Sequence, residues 1–190
     1  MGDAMTEIDL KAFCGDRVDI DHPFSIGEWT YALNGHIGIR VPRRSWYDRT
    51  HPNRDAVTNL FAGHELVKFL RAEFPHLPAK LHPKKIECRT CHGTGKEHDC
   101  PDCECECNNC EGTGKVESGV MQSIDVNGTA LDVEYVRMMR NLPDIRIQSD
   151  KVNECEKMMF TFDGGQGVVM ALRSPYENHC DVSVTLKMEE

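Results

Sequence analysis

Apolar and polar positions alternate over Phe24 to Val41 in two runs, FSIGEWTYAL and HIGIRV, joined by Asn34-Gly35. Asn-Gly between such runs predicts a β-hairpin with a type I′ turn, because both residues tolerate positive φ. Upstream, Ile8, Leu10, Phe13 and Cys14 predict a short helix within residues 1–20, with Thr6 or Asp9 at its cap, followed by an acidic, solvated turn at Asp16, Asp19 and Asp21. Downstream, Val57, Leu60, Phe61, Leu66, Val67 and Leu70 recur at helical intervals, so the longest helix is expected over Asp55 to Phe74, with Gly63 its weak point. Pro75, Pro78 and Pro83 stop it and form a stiff linker.

The second half repeats the alternation. Val120 to Val126 predicts a strand turning at Asn127-Gly128, and Ala130, Leu131, Val133, Tyr135, Val136, Met138 and Met139 predict a helix ending near Leu142-Pro143. Strands follow over Asp144 to Gln148, Lys157 to Phe162, Gly167 to Leu172 and Asp181 to Lys187, with Asp163-Gly164-Gly165 turning the middle pair. The expected fold class is α+β: a single mixed α/β domain of two helix-plus-strand halves, residues 1–83 and 118–190, with an inserted hairpin module over residues 84–117.

That module changes the picture. Seven of the ten cysteines lie between Cys88 and Cys110, in CRTCHGTGKEHDCPDCECECNNCEGTG. CRTCHGTGK returns as CNNCEGTGK, an internal repeat. Thiols at C-x2-C spacing in a chain that reads as cytoplasmic bind metal rather than form disulfides. Two knuckles supply the four soft ligands that tetrahedral zinc prefers, and Gly93, Gly95, Gly112 and Gly114 suit the positive φ and close chain approach of a knuckle. The favoured pairing is Cys88, Cys91, Cys107 and Cys110 on one zinc. Cys100, Cys103 and Cys105 then need a fourth ligand for a second, and His98 is the nearest candidate, with His92 the other. Two zinc ions are expected; a one-zinc ribbon of Cys88, Cys91, Cys100 and Cys103 is the simpler alternative. Cys14, Cys155 and Cys180 are too dispersed to be ligands, and the methionines read as core filling.

The formal charge is −9, and seven thiolates on two zinc ions would carry it to about −12. Such a chain is not a non-specific nucleic-acid binder. Arg40, Arg43, Arg44, Arg49 and Arg54, with Trp46 and Tyr47 among them, are a local exception: guanidinium groups pair with phosphates and aromatic rings stack on bases. The bland reading is a surface loop whose arginines neutralise nearby carboxylates. No apolar run approaches a membrane span, and the first residues lack the basic and apolar regions of a signal peptide, so a soluble cytoplasmic protein without membrane partners is expected. Gly2 with Thr6 is a weak match to an acylation pattern. His64-Glu65 lacks the second histidine of a zincin, since Lys68 stands there, and Gly164-Gly165-Gln166-Gly167 lacks the lysine of a phosphate loop. All-cysteine zinc is closed and leaves no place for an activated water, so no enzyme is expected.

The repeat unit C-x2-C-x-G-x-G resembles the cysteine-rich zinc module of DnaJ-type co-chaperones. Cys88–Gly95 and Cys107–Gly114 match it fully, whereas Cys100-Pro101-Asp102-Cys103 keeps the cysteine half. The resemblance implies a metal-bound hairpin and, at its furthest, an unfolded-protein holdase. The module is abbreviated relative to that family. No J domain accompanies it, because His22-Pro23, His51-Pro52 and His82-Pro83 are never followed by aspartate.

A second resemblance is to bacterial sliding clamps. Tyr31-Ala32-Leu33-Asn34-Gly35-His36 is similar to their A-T-D-G-H segment, Leu131 to Met139 to the clamp helix after a buried strand, and Gly167 to Arg173 to the carboxy-terminal strand. Clamps carry three such domains and no zinc insert, so encircling DNA would require several chains to assemble as a homo-oligomer. An acidic domain with such an insert also resembles bacteriophage or prophage accessory proteins, which implies a replication accessory or an inhibitor of a host system. The expected function is a non-catalytic zinc-binding adaptor presenting an acidic hairpin (Glu97, Asp99, Asp102, Glu104, Glu106, Glu111) to a basic protein partner. The alternatives are nucleic-acid binding through Arg40–Arg54, and a DnaJ-like holdase.

Overall fold

A computed structural model describes residues 8–49, 51–81, 84–96, 105–118, 121–154 and 156–188. Thr6, Pro83, Val120 and Cys155 lie outside the described residues. The chain divides into two compact units, Met1–Pro78 with Gln122–Glu190, and Ala79–Met121.

The first unit is mixed α/β and mostly strand. Its strands are β1 (Phe24–Ile26), β2 (Trp29–Leu33), β3 (Ile37–Pro42) and β4 (Phe69–Glu73), then β7 (Gln122–Val126), β8 (Thr129–Asp132), β9 (Arg146–Gln148), β10 (Lys157–Phe162), β11 (Gly165–Met170) and β12 (Asn178–Lys187). They form one ten-stranded sheet in the order β1-β2-β3-β11-β10-β9-β4-β12-β7-β8. All pairs are antiparallel except β12 with β7. The helices are α1 (Arg54–Leu60) and α2 (Val133–Arg140).

The strands in the middle of the sheet carry buried side chains on both faces, so β3 and β10 are buried over consecutive residues, Ile37–Ile39 and Met158–Phe160. Successive residues point to opposite faces. Met158 and Phe160 join one buried cluster with Ile39, Ile124, Ile147, Val169 and the α2 residues Val133, Val136 and Met139. Met159, between them, joins the other cluster with Phe24, Tyr31, Val168 and the α1 residue Val57. The buried methionines fill core, as their flexible thioethers suit.

The largest difference from expectation is the segment Asp55 to Phe74, which is not one helix. Helix α1 stops at Leu60, a 3-10 turn covers His64–Leu66, and Phe69–Glu73 is β4, placed between β9 and β12 in the sheet. Gly63 at φ 89° breaks the helix. Lys157, from β10, then donates through Nζ to the carbonyls of Asn59, Leu60 and Ala62 at 3.2, 2.8 and 3.1 Å, a cationic cap on the helix end. Lys157→Met is expected to cost about 1–2 kcal/mol, read as a lower urea midpoint with an unchanged slope.

Other differences are local. The first strand run breaks at Gly27, φ 57°, giving a three-strand meander β1-β2-β3. Asn34 is not at positive φ; its Oδ1 instead accepts from the backbone N–H groups of His36 and Ile37, both at 2.9 Å. Asn127-Gly128 does adopt the type I′ signs, φ 51° and 78°, between β7 and β8. Ala130 to Asp132 is strand, and α2 begins after Asp132, whose side chain accepts from Glu134 N at 2.8 Å. The amino-terminal helix is a 3-10 turn, Leu10–Phe13, capped by Asp9. Gly164 turns the β10–β11 hairpin, and Gly165 and Gly167 lie opposite Phe162 and Phe160, whose rings occupy the space a Cβ would need.

His64 stacks between Phe61 and Phe69 at 5.9 and 5.8 Å, with Nδ1 3.1 Å from the Phe61 carbonyl and Nε2 3.1 Å from that of Gly167. Burial disfavours its charged form and outweighs these carbonyls, so its pKa falls below the ordinary 6.5. As pH drops, the unfolded chain takes this proton first. The contribution is therefore complete above about 6.5 and is lost as pH falls from there through the folded value. Stability is expected to decline on acidification below about 6.5, less steeply in His64→Asn when urea midpoints are compared.

Candidate metal centre

In the second unit, β5 (Lys84–Glu87) and β6 (Lys115–Ser118) pair antiparallel, with Ile86 opposite Val116 and Glu87 opposite Lys115. Between them the two sequence copies fold the same way. Gly93 N donates to Cys88 O at 3.1 Å and Thr94 N to Cys91 O at 3.0 Å; in the second copy Gly112 N donates to Cys107 O at 3.3 Å and Thr113 N to Cys110 O at 3.0 Å. The Thr94 and Thr113 hydroxyls repeat the match, donating to Cys91 O and Cys110 O at 2.7 and 2.6 Å. Each copy also ties to the other reciprocally: Cys88 N to Gly114 O and Cys107 N to Gly95 O, both at 2.8 Å. A duplicated sequence has produced a pseudo-two-fold site.

Gly95 and Gly114 make the close approach possible. A Cβ on Gly95 would lie 2.2 Å from the Gly112 carbonyl oxygen, and one on Gly114 would lie 2.1 Å from that of Gly93. His92 and Glu111, which follow the second cysteine of each copy, take left-handed conformations at φ 49° and 50°.

The two knuckles bring Cys88, Cys91, Cys107 and Cys110 together, all buried, with their sulfurs within 4.8 Å of one another. Cys88 Sγ lies 3.8 Å from Cys107 Sγ, and Cys91 Sγ 3.7 Å from Cys110 Sγ. A disulfide would put sulfurs at about 2.05 Å. Four sulfurs at about 2.3 Å from a central ion define a tetrahedron with edges of about 3.8 Å. The group is able to hold one metal ion and draws on both copies; Cys100 and Cys103, which the alternative ribbon would use, lie outside the described residues.

Donors surround the sulfurs. Gly95 N donates to Cys91 Sγ at 3.2 Å, and the Asn109 side-chain amide donates to Cys88 Sγ at 3.4 Å. The Asn109 bond, with backbone donors behind it, brings the Cys88 thiol down to about 6, a thiolate at neutral pH. Burial, with Cys91 beside it, pushes Cys110 up to about 11. A bound cation would reverse that, since metal-ligating thiols are held deprotonated.

Of the remaining predicted ligands, His98, Cys100 and Cys103 lie outside the described residues, with the carboxylates Glu97, Asp99, Asp102 and Glu104. Cys105 and His92 are exposed and are not part of the four-sulfur group. Among the described residues this is the one cluster of metal-ligating side chains. Sequence reasoning did not single out Asn109; its position between the ligands of C-N-N-C was the available signal.

In the first unit the arginine stretch is largely engaged within the protein. The Arg40 guanidinium lies over the rings of Trp29 and Phe61, at 4.5 and 5.0 Å, and donates to Gln166 Oε1. Arg43 donates to Gly27 O and pairs with Asp48, and Arg49 pairs with Asp21 at 2.6 Å. Arg44 donates to Ile8 O and sits over Trp46 at 5.9 Å. Trp46 is exposed, Tyr47 packs against the core, and Arg54 opens α1 on the surface. Hydrogen bonds from His22 and then Arg49 hold Asp21 below the usual carboxylate range.

His36 stacks on Tyr135 at 5.9 Å. Ser123 Oγ lies 2.9 Å from His179 Nδ1, but Ser123 is fully buried and also accepts from Tyr176 N, so its hydroxyl ties β7 both to β12 and to the segment before it. Cys14 and Cys180 are half-buried, and burial pushes both thiols up, Cys14 to about 11. Among the described residues no helix is long and apolar enough to cross a membrane.

The site and fold define a mixed α/β chain carrying a four-cysteine group able to bind a metal ion. Comparison with known proteins gives no matching family model, no matching curated protein and no matching solved structure. The DnaJ-like and clamp-like resemblances therefore rest on the residues that suggested them.

Proposed function

We propose that the protein is a non-catalytic zinc-binding adaptor whose cysteine module, shaped by the ion, presents an acidic hairpin to a basic protein partner. The observation that carries this reading is the buried four-sulfur group. Among the described residues it is the buried cluster of its unit, with Val116 half-buried against it. A unit so poor in apolar core draws its folding energy from metal. Four thiolates at tetrahedral spacing favour zinc over harder cations and close the coordination sphere, leaving no position for an activated water. Glu106 and Glu111 are exposed on the module, and the carboxylates of residues 97–104 add to its negative charge. Cys100, Cys103, Cys105 and His98 supply a second zinc in this proposal. The biological setting it fits is a bacteriophage-type accessory of replication or inhibitor of a host system.

Elemental analysis of protein purified without chelator tests the metal: two zinc ions per chain are expected, one would remove the second site, and none would sink the proposal. Capture from a host lysate with and without nuclease tests the partner. Nuclease-resistant capture that Glu106→Lys with Glu111→Lys abolishes supports the adaptor. Capture that nuclease abolishes transfers the function to Arg40–Arg54 and nucleic acid.

A further inference from the structure

We propose that Asn109 is a positioning residue of the metal centre, its side-chain amide holding the Cys88 thiolate in place across the pseudo-two-fold. This rests on the reading that the four thiolates hold zinc.

Four thiolates on one divalent cation leave a net charge of about −2 inside a small unit. Buried charge must be met by hydrogen bonds or it destabilises the site. The knuckle fold supplies backbone donors, such as Gly95 N on Cys91, from the repeated G-T-G. These come with the duplicated sequence, in which Gly114 N stands to Cys110 as Gly95 N does to Cys91.

Asn109 does not obey this symmetry. Its equivalent in the first copy is Thr90, and no hydrogen bond of the Thr90 side chain reaches Cys107. The Asn109 amide reaches instead from the second knuckle to the first ligand of the other, 21 residues away in the chain, at 3.4 Å from Cys88 Sγ. It therefore ties the copies together through a thiolate, in addition to the two reciprocal backbone bonds. Outer-shell donors of this kind orient a ligand and draw charge from it, and removing one weakens metal affinity about 10–100-fold.

The test uses the full chain as wild type, Asn109→Ala, Asn109→Asp and Thr90→Ala. Zinc affinity is measured by chelator competition, and the sulfur-to-metal charge-transfer band is recorded after cobalt(II) substitution. Asn109→Ala is expected to weaken zinc by about tenfold or more. It should also move the cobalt band to lower energy, because a sulfur without its donor gives up electrons more readily. Asn109→Asp should weaken zinc further, by placing a carboxylate beside the thiolate. Thr90→Ala should leave both readings at wild type. A wild-type band and affinity in Asn109→Ala, or equal damage from Thr90→Ala, would overturn the assignment. Failure of the wild type to take up either ion is visible before any variant is made, and removes the zinc reading and this inference together.

Discussion

Stripping the ion with a strong chelator, or replacing Cys88 and Cys107 together by serine, is expected to unfold residues 84–118 as a unit. The reason is the composition of that unit's interior. Among the described residues, Cys88, Cys91, Cys107 and Cys110 are buried with Val116 alone half-buried against them, and Ile86 is exposed. The two-stranded pairing of β5 with β6 cannot order it, since an isolated hairpin is marginal in water. Structural zinc contributes about 10–16 kcal/mol at neutral pH in small modules. That far exceeds what one half-buried valine supplies. The backbone amide signals of Gly95 and Gly114 should lose dispersion on chelation and recover when zinc returns. Signals from the first unit, which has two apolar clusters of its own, should persist. Retention of the Gly95 and Gly114 signals in metal-free protein would show that the module folds by other means. Acid acts in the same direction: protons compete with metal for thiolates, so affinity falls as pH drops.

Gly95→Ala and Gly114→Ala should abolish stoichiometric metal binding, whereas Gly93→Ala should retain it with reduced stability. All three glycines have positive φ, 76°, 69° and 79°, so the conformational cost alone, about 1 kcal/mol each, does not separate them. Space does. A methyl on Gly95 or Gly114 meets backbone carbonyls at 2.2 and 2.1 Å. Those carbonyls belong to the facing copy and cannot swing aside. A methyl on Gly93 meets the Glu87 side chain at 3.4 Å, an ordinary contact. Relieving the clash at Gly95 means separating the knuckles, and that pulls Cys91 from Cys110. Zinc content by elemental analysis, with urea unfolding for Gly93→Ala, reads the difference; equal metal content in all three variants would refute the steric argument.

The four-cysteine knuckles of the second unit were more legible than the first unit. Cysteine spacing and the repeated G-T-G carry their instructions locally: a C-x2-C knuckle forms within a few residues, and the four positive-φ glycines follow from it. The turn at Asn127-Gly128 was local too, whereas the type I′ geometry expected at Asn34-Gly35 is replaced by an Asn34 side-chain cap on His36 and Ile37. Asp55 to Phe74 was not, because its helical periodicity competes with the strand pairing of Phe69–Glu73 against β9 and β12, whose residues lie far along the chain. Lys157 capping α1 is equally non-local. The arginine stretch shows the same limit, since nothing near Arg40 in sequence reveals that Gln166, Trp29 and Phe61 engage it.

By itself the sequence determined a metal-ready repeat, its four buried thiols and most of the strands, because soft ligands at fixed spacing and period-two alternation act over short range. Tertiary structure alone decided that one sheet of ten strands takes in both halves of the chain, that a helix-patterned segment ends as a strand, and that Asn109 crosses the two-fold to Cys88. Those outcomes depend on partners distant in sequence, and burial against such partners outweighs the few tenths of a kcal/mol per residue, roughly, by which propensity separates helix from strand.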